Sequence, residues 1–318
     1  MSDHILRRGE DLTKPDYATF AHDHWITRCF FLAGLAILVY DHFLTLRTEV
    51  KYIWSSKLRP GTCWFLAIRY LGLGANITIC AYYFIDLDHE SPLTLVVFNS
   101  PIFLDSCDKM QWAWQMFIII LELLVELTLT LRVFALYGLN KWILACLLSA
   151  NASIAIVGLF AIIEFGKNPE LLSEPGLSGC DTAFLARSAA ARPAGGWEAI
   201  LVCDTLVFVL TARKAFVHWK TIPRYAGSLI ERMATDGTMY FGIIVLANLA
   251  NLLTYYLGDA LLSGFLSYFS TNLSLTLISR LMLNLHEAAD PWVNNLTLNT
   301  RDPETLRFAA LSTVHEEL

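Results

Sequence analysis

The chain has 318 residues, 55% of them hydrophobic and 16% charged, with a mean hydropathy of +0.49 and a formal net charge of −6. Ordinary soluble domains are roughly 45–50% apolar and about 25% charged, so this balance argues against a water-soluble enzyme fold. No basic run points to nucleic acid as a partner.

Residues 1–24 form a polar segment of mixed charge, with no apolar run before Trp25. No cleavable signal is expected there, and the first apolar block would itself direct insertion. Seven blocks are long enough to cross hydrocarbon, which takes roughly 20 residues of helix each. They are Trp25–Phe43, Thr62–Phe84, Trp112–Tyr137, Trp142–Ile163, Trp197–Val217, Tyr240–Leu257 and Ala260–Leu283. Five of these seven begin at an aromatic residue, which suits a ring held at headgroup level. The last two are parted only by Gly258-Asp259, but Tyr240–Leu283 is too long for one crossing. Lys167–Gly196 is rich in Pro, Gly and Ala and reads as an irregular external loop. Asn284–Leu318 is a polar tail in which Asp302-Pro303-Glu304 could start a short helix, although an unstructured tail fits its composition better.

Orientation follows from basic residues in short loops. Arg47, Lys51, Lys57 and Arg59 follow the first span, Arg132 and Lys141 flank the turn after the third, and Lys220, Arg224 and Arg232 follow the fifth. The opposite side has Lys109 in one loop, none after the sixth span, and Lys167, Arg187 and Arg192 spread over the long loop after the fourth, where they count less. The N-terminal Arg7, Arg8 and Lys14 dissent. The expected fold is therefore all-α: a polytopic seven-transmembrane helix bundle over residues 25–283, N-terminus outside, with a cytosolic tail over 284–318. The lipid bilayer is its first partner.

Five of the seven cysteines fall within or at the ends of spans, and only Cys107 and Cys180 lie in external loops. An oxidising exterior favours joining them, which would pin the long loop to the mouth of the bundle. The alternative is two free thiols.

Charges within spans are costly, about 2.5–3.5 kcal/mol each on insertion scales, so each needs a reason. Glu122 and Glu126 lie four residues apart in the third span, on one helix face. Arg69 in the second span and Asp204 in the fifth are the other deep charges, and Asn76, Asn151, Asn248, Asn251 and Asn272 add a polar layer. One reading is a cavity for a polar ligand or a proton-linked path. The other is interhelical hydrogen bonding, with a Glu either protonated or paired with Arg69.

Catalysis has little support. No nucleophile partners the carboxylates, the histidines are scattered, and Asp41-His42 lacks metal-ligand spacing. No metal, cofactor or catalytic residue is expected. The last span has no lysine for a retinal Schiff base, so an opsin is excluded. The third span lacks an acidic-Arg-Tyr triplet and the seventh lacks Asn-Pro-x-x-Tyr, which excludes a standard animal-type G-protein-coupled receptor.

Several stretches carry a family resemblance. Val39-Tyr40-Asp41-His42-Phe43-Leu44-Thr45-Leu46, then Glu49-Val50-Lys51-Tyr52-Ile53-Trp54 and Arg69-Tyr70, resemble the signature of a fungal domain of unknown function, DUF6533, over about residues 25–72. Leu131-Arg132-Val133-Phe134, Asp236-Gly237-Thr238 and Ile278-Ser279-Arg280-Leu281 resemble later spans of the same multi-span proteins. The resemblance implies membrane proteins of mushroom-forming fungi and supplies no activity. It marks Asp41, His42, Glu49, Trp54, Arg69, Arg132 and Arg280, which would form a charged ring at the cytosolic face. That ring is either positive-inside anchoring with local ion pairs, or a conformational lock or docking surface for a cytosolic signalling partner.

The leading functional expectation is a receptor-like protein with an unknown ligand, by analogy of architecture alone. A proton- or solute-linked transporter or channel using Glu122 and Glu126 is the alternative, although spans one to three do not echo spans five to seven. A lipid-modifying enzyme resting on Asp41-His42 is weaker still.

Overall fold

A computed structural model describes residues 17–55, 60–84, 107–165, 171–172, 181–182, 187–221, 229–259 and 261–299. The described helices are α1 (Tyr17–Glu49), continued by a π turn over Val50–Trp54, α2 (Pro60–Phe84), α3 (Cys107–Leu136) and α4 (Lys141–Phe165). They are followed by α5 (Arg187–Thr221), α6 (Leu229–Leu257) and α7 (Ser267–Asn299). Between α4 and α5, Leu171–Leu172 (β1) and Asp181–Thr182 (β2) pair antiparallel. Each expected span falls on one of these seven helices.

The boundaries differ from expectation in physically readable ways. α1 starts at Tyr17, inside the polar leading segment, because Tyr17–Trp25 contains no helix breaker. The segment expected as an irregular loop carries the β1–β2 pair, and its last ten residues are helical. There Ala189-Ala190-Ala191 and Ala194 favour helix strongly, and the helix runs on through Pro193 although that residue cannot donate to the Ala189 carbonyl. α7 starts at Ser267, not Ala260, after a turned segment over 261–266. That turn needs Gly264, at φ +78°, where a Cβ would collide with the Tyr255 ring. α7 runs on to Asn299, so the first part of the polar tail is helical. The expected short helix at Asp302 and the Cys107–Cys180 bridge lie outside the described residues.

The helix ends follow ordinary rules. α3 is closed by Gly138 and Leu139, both at positive φ, with the Leu139 N–H donating to the Phe134 carbonyl at 3.0 Å. Asn140 then accepts from the Trp142 N–H at 3.0 Å and caps α4. Hydroxyls along the apolar helices donate to carbonyls one turn back, as Thr78 does to Gly74 and Thr211 to Val207, so they need no water.

Sequential neighbours pack in a closed ring, α1 returning to α7, and α3 touches α2, α4, α5, α6 and α7 across the centre. The upper end of the bundle is defined as the one at which α1, α3, α5 and α7 begin. Four helical stretches, 17–54, 60–81, 141–161 and 237–257, are long and apolar enough to cross a membrane, yet most of their residues are not buried in the bundle. Tyr40, Phe43, Ile77, Ile156, Phe160, Val202 and Leu246 point outward. In water such an apolar exterior would be a liability, whereas in lipid it faces its own solvent. The interior carries the polar residues: Asn248, Asn251, Ser274, Glu126 and Glu49 are fully buried beside Phe65, Leu147 and Ile278.

Candidate functional site

Three levels of polar structure stack along the bundle. At the upper end lies a cavity of about 140 Å³ bounded by α1, α3, α4, α5, α6, α7 and the turn before α7. Its walls are aromatic: Trp114 from α3 stacks on Tyr268 from α7 with centroids 3.8 Å apart, and Trp197 and Tyr255 come from α5 and α6. The Tyr255 hydroxyl meets Ser267 Oγ at 3.2 Å. Glu122 is the one acid among the described lining residues, and no Lys, Arg or His lines the cavity with it. Its side chain is 1% exposed, and its Oε1 accepts from Thr271 Oγ1 at 2.5 Å.

The middle level is a hydrogen-bonded polar layer. Asp204 Oδ2 accepts from Asn248 Nδ2 at 2.6 Å, and Asn248 Oδ1 accepts from Ser270 Oγ, joining α5, α6 and α7. Glu126, fully buried, lies against Asp204 and Cys203, and neither of its oxygens meets a well-aligned donor among the described residues. Asn272 Nδ2 donates to Asn76 Oδ1 at 2.8 Å, joining α7 to α2. Asn151 Nδ2 donates to Thr130 Oγ1 at 2.8 Å, joining α4 to α3. Asn251 Oδ1 accepts from Ser267 Oγ at 3.2 Å. The asparagines therefore act as interhelical ties, Asn248 joining three helices and the others two.

The lower level is ionic. Glu49, at the end of α1, is fully buried and pairs through Oε2 with Arg69 Nε at 2.9 Å. Its other oxygen accepts from the Tyr70 hydroxyl at 2.9 Å and from Trp54 Nε1 at 3.0 Å. The π turn brings Trp54 back to that carboxylate. Arg69 Nη2 also donates to the His42 carbonyl at 2.9 Å and to Thr45 Oγ1 at 2.6 Å. Asp41 pairs with Arg280 Nε, tying α1 to α7. The His42 ring sits edge-on to Tyr70 at 5.3 Å.

The structure thus brings together Asp41 with Arg280, and Glu49 with Trp54 and Arg69. It places Arg132 elsewhere on the lower end, near His286. Arg69 is not the partner of Glu122 or Glu126: Glu49 takes it, because Glu49 and Arg69 meet where α1 and α2 converge below. The two glutamates also part company, since Glu122 lines the cavity while Glu126 turns toward α5.

Sequence reasoning missed the aromatic walls and the hydroxyls that meet the acids. A signal existed for the second: Ser263, Ser267, Ser270, Thr271 and Ser274 recur at intervals of one helical turn, and all are buried. The aromatics gave none, because Trp and Tyr near span ends are equally well explained as interfacial anchors.

Residues 29–74, from Cys29 in α1 to Gly74 in α2, match the model of a family of unknown function, DUF6533. The match overlaps the expected 25–72 and contains the whole Glu49–Trp54–Arg69–Tyr70 cluster together with Asp41. No curated protein matches the chain. A helical bundle with an apolar exterior, a polar interior and a DUF6533 segment has the features of an integral membrane protein.

Proposed function

We propose that the chain crosses the membrane seven times, N-terminus outside and C-terminus in the cytosol, as a receptor-like protein of fungal type. It takes a ligand in the upper cavity and reports it at the lower end. The observation that supports this reading most is the course of α7. Thr271 on α7 holds the cavity acid Glu122, and the neighbouring Ser270 joins the Asp204–Asn248 pair. Nine residues further down, about 14 Å of helix, Arg280 holds Asp41. A ligand that shifts α7 at the top therefore works directly on an ion pair at the bottom, which a cytosolic signalling partner would read.

The test is basal signalling. Asp41→Asn frees Arg280 and should raise output in yeast reporter strains carrying exchanged G-protein α-subunit tails. Absence of output from both the parent chain and the variant in every strain would sink the receptor reading.

A second reading, proton- or solute-linked transport, is favoured by Glu126 lying beside Asp204, since adjacent buried acids can pass a proton. A Glu122→Gln/Glu126→Gln variant with unchanged flux in vesicles would count it out. Asp41, on which a lipid-modifying reading would rest, pairs through Oδ1 with Arg280. We assign no catalytic residue.

A further inference from the structure

The upper cavity pairs one buried acid with aromatic walls and holds no described basic residue to balance it. A carboxyl kept from water either holds its proton or takes a counter-charge, and an unpaired carboxylate there costs several kcal/mol of effective penalty. Arg69, the in-span cation considered as a partner for these acids, is committed to Glu49 at the other end of the bundle. Thr271 supplies a hydrogen bond to Oε1 but no charge. The faces of Trp and Tyr rings attract cations, most strongly where water is excluded. The size is also restrictive. At about 140 Å³, the space is close to the ~150 Å³ of a cavity known to admit benzene.

We propose that this cavity binds a small organic cation: an ammonium group on an apolar body about the size of a benzene ring. Glu122 is its counter-ion, and Trp114, Trp197, Tyr255 and Tyr268 enclose the body. The inference deepens the receptor reading, and rests on it for the consequence of binding, but the binding itself is measured separately.

The test uses the purified full chain in detergent with two probes of matched shape, phenethylamine and its neutral isostere phenethyl alcohol, followed by calorimetry and thermal shift. Phenethylamine is expected to bind and to raise the Tm, with the alcohol far weaker. Glu122→Gln should weaken the amine by roughly thirtyfold or more, as loss of one partner of a buried charge pair does, and leave the alcohol unchanged. Ala161→Phe fills the cavity wall while keeping Glu122, so it should abolish binding whether or not the Glu122 variant folds. Equal binding of amine and alcohol would overturn the proposal, as would binding of neither, or amine binding that survives Ala161→Phe. Amine binding with no reporter output would leave this assignment standing and remove the receptor reading. Reporter output from Asp41→Asn with no amine binding would do the reverse.

Discussion

Glu49 and Arg69 show how a charge can be kept inside an apolar bundle. Glu49 accepts from Tyr70 and Trp54 as well as pairing with Arg69, and Arg69 donates to His42 and Thr45, so nearly every polar edge is used. Removing one partner leaves the other charged and buried, a loss of about 3–5 kcal/mol. Arg69→Leu should therefore lower the Tm of the purified protein sharply, and Glu49→Leu/Arg69→Leu should recover most of the loss. A double variant no more stable than the single would mean that the cluster does not act as a charge pair. Toward the C-terminal end of α7, His286 behaves differently. Burial and then the Arg132 charge lower its pKa from 6.5, so the folded state binds fewer protons than the unfolded chain below that value. Its contribution to stability is complete above pH 6.5 and declines as pH falls toward the lowered folded pKa. His286→Asn should flatten the fall in Tm with acidification below pH 6.5; an unchanged profile would place the acid sensitivity elsewhere.

At the scale of elements, the seam between α1 and α7 decides how the polar levels align. The two helices run parallel, with Phe30 against Phe265 in the turn before α7, Gly34 against Phe269 and Asp41 against Arg280. Gly34 permits the close approach: a Cβ there would stand 3.1 Å from the Phe269 Cα and 3.3 Å from Asn272 Nδ2. Gly34→Leu should force the helices apart at a cost of about 1–3 kcal/mol, read as a lower Tm, and should disturb the Asn272–Asn76 bond. Gly74→Leu is the control, because nothing lies within 4 Å of a Cβ at that position. Equal losses in the two variants would show that bulk on any helix, and not this seam, sets the effect.

For the whole molecule, the decisive property is the inversion of polarity, with apolar side chains outside and Glu, Asp, Asn, Ser and Thr within. That pattern fits lipid as solvent, and orientation then follows from where the basic residues sit. With other cysteines removed, Leu139→Cys in the exposed α3–α4 turn should react with an impermeant maleimide only from the cytosolic side. Asp259→Cys, in the exposed connection after α6, should react only from outside. Labelling of both from one side would overturn the seven-span reading, and labelling with the sides exchanged would invert the topology.

The places of the seven helices are legible along the chain, because a run of about 20 apolar residues is a local property that needs no knowledge of neighbours. It is equally legible that Asp41, Glu49, Trp54, Arg69 and Arg280 belong near one end of the bundle, since helix length converts sequence position into depth. Which charge meets which depends on helix rotation and packing, neither of which is a local property of the chain. Glu49, not Glu122, takes Arg69 because α1 and α2 converge at the lower end. Glu122 is left facing a cavity because six helices and a Gly264 turn stand back from one another at the upper end.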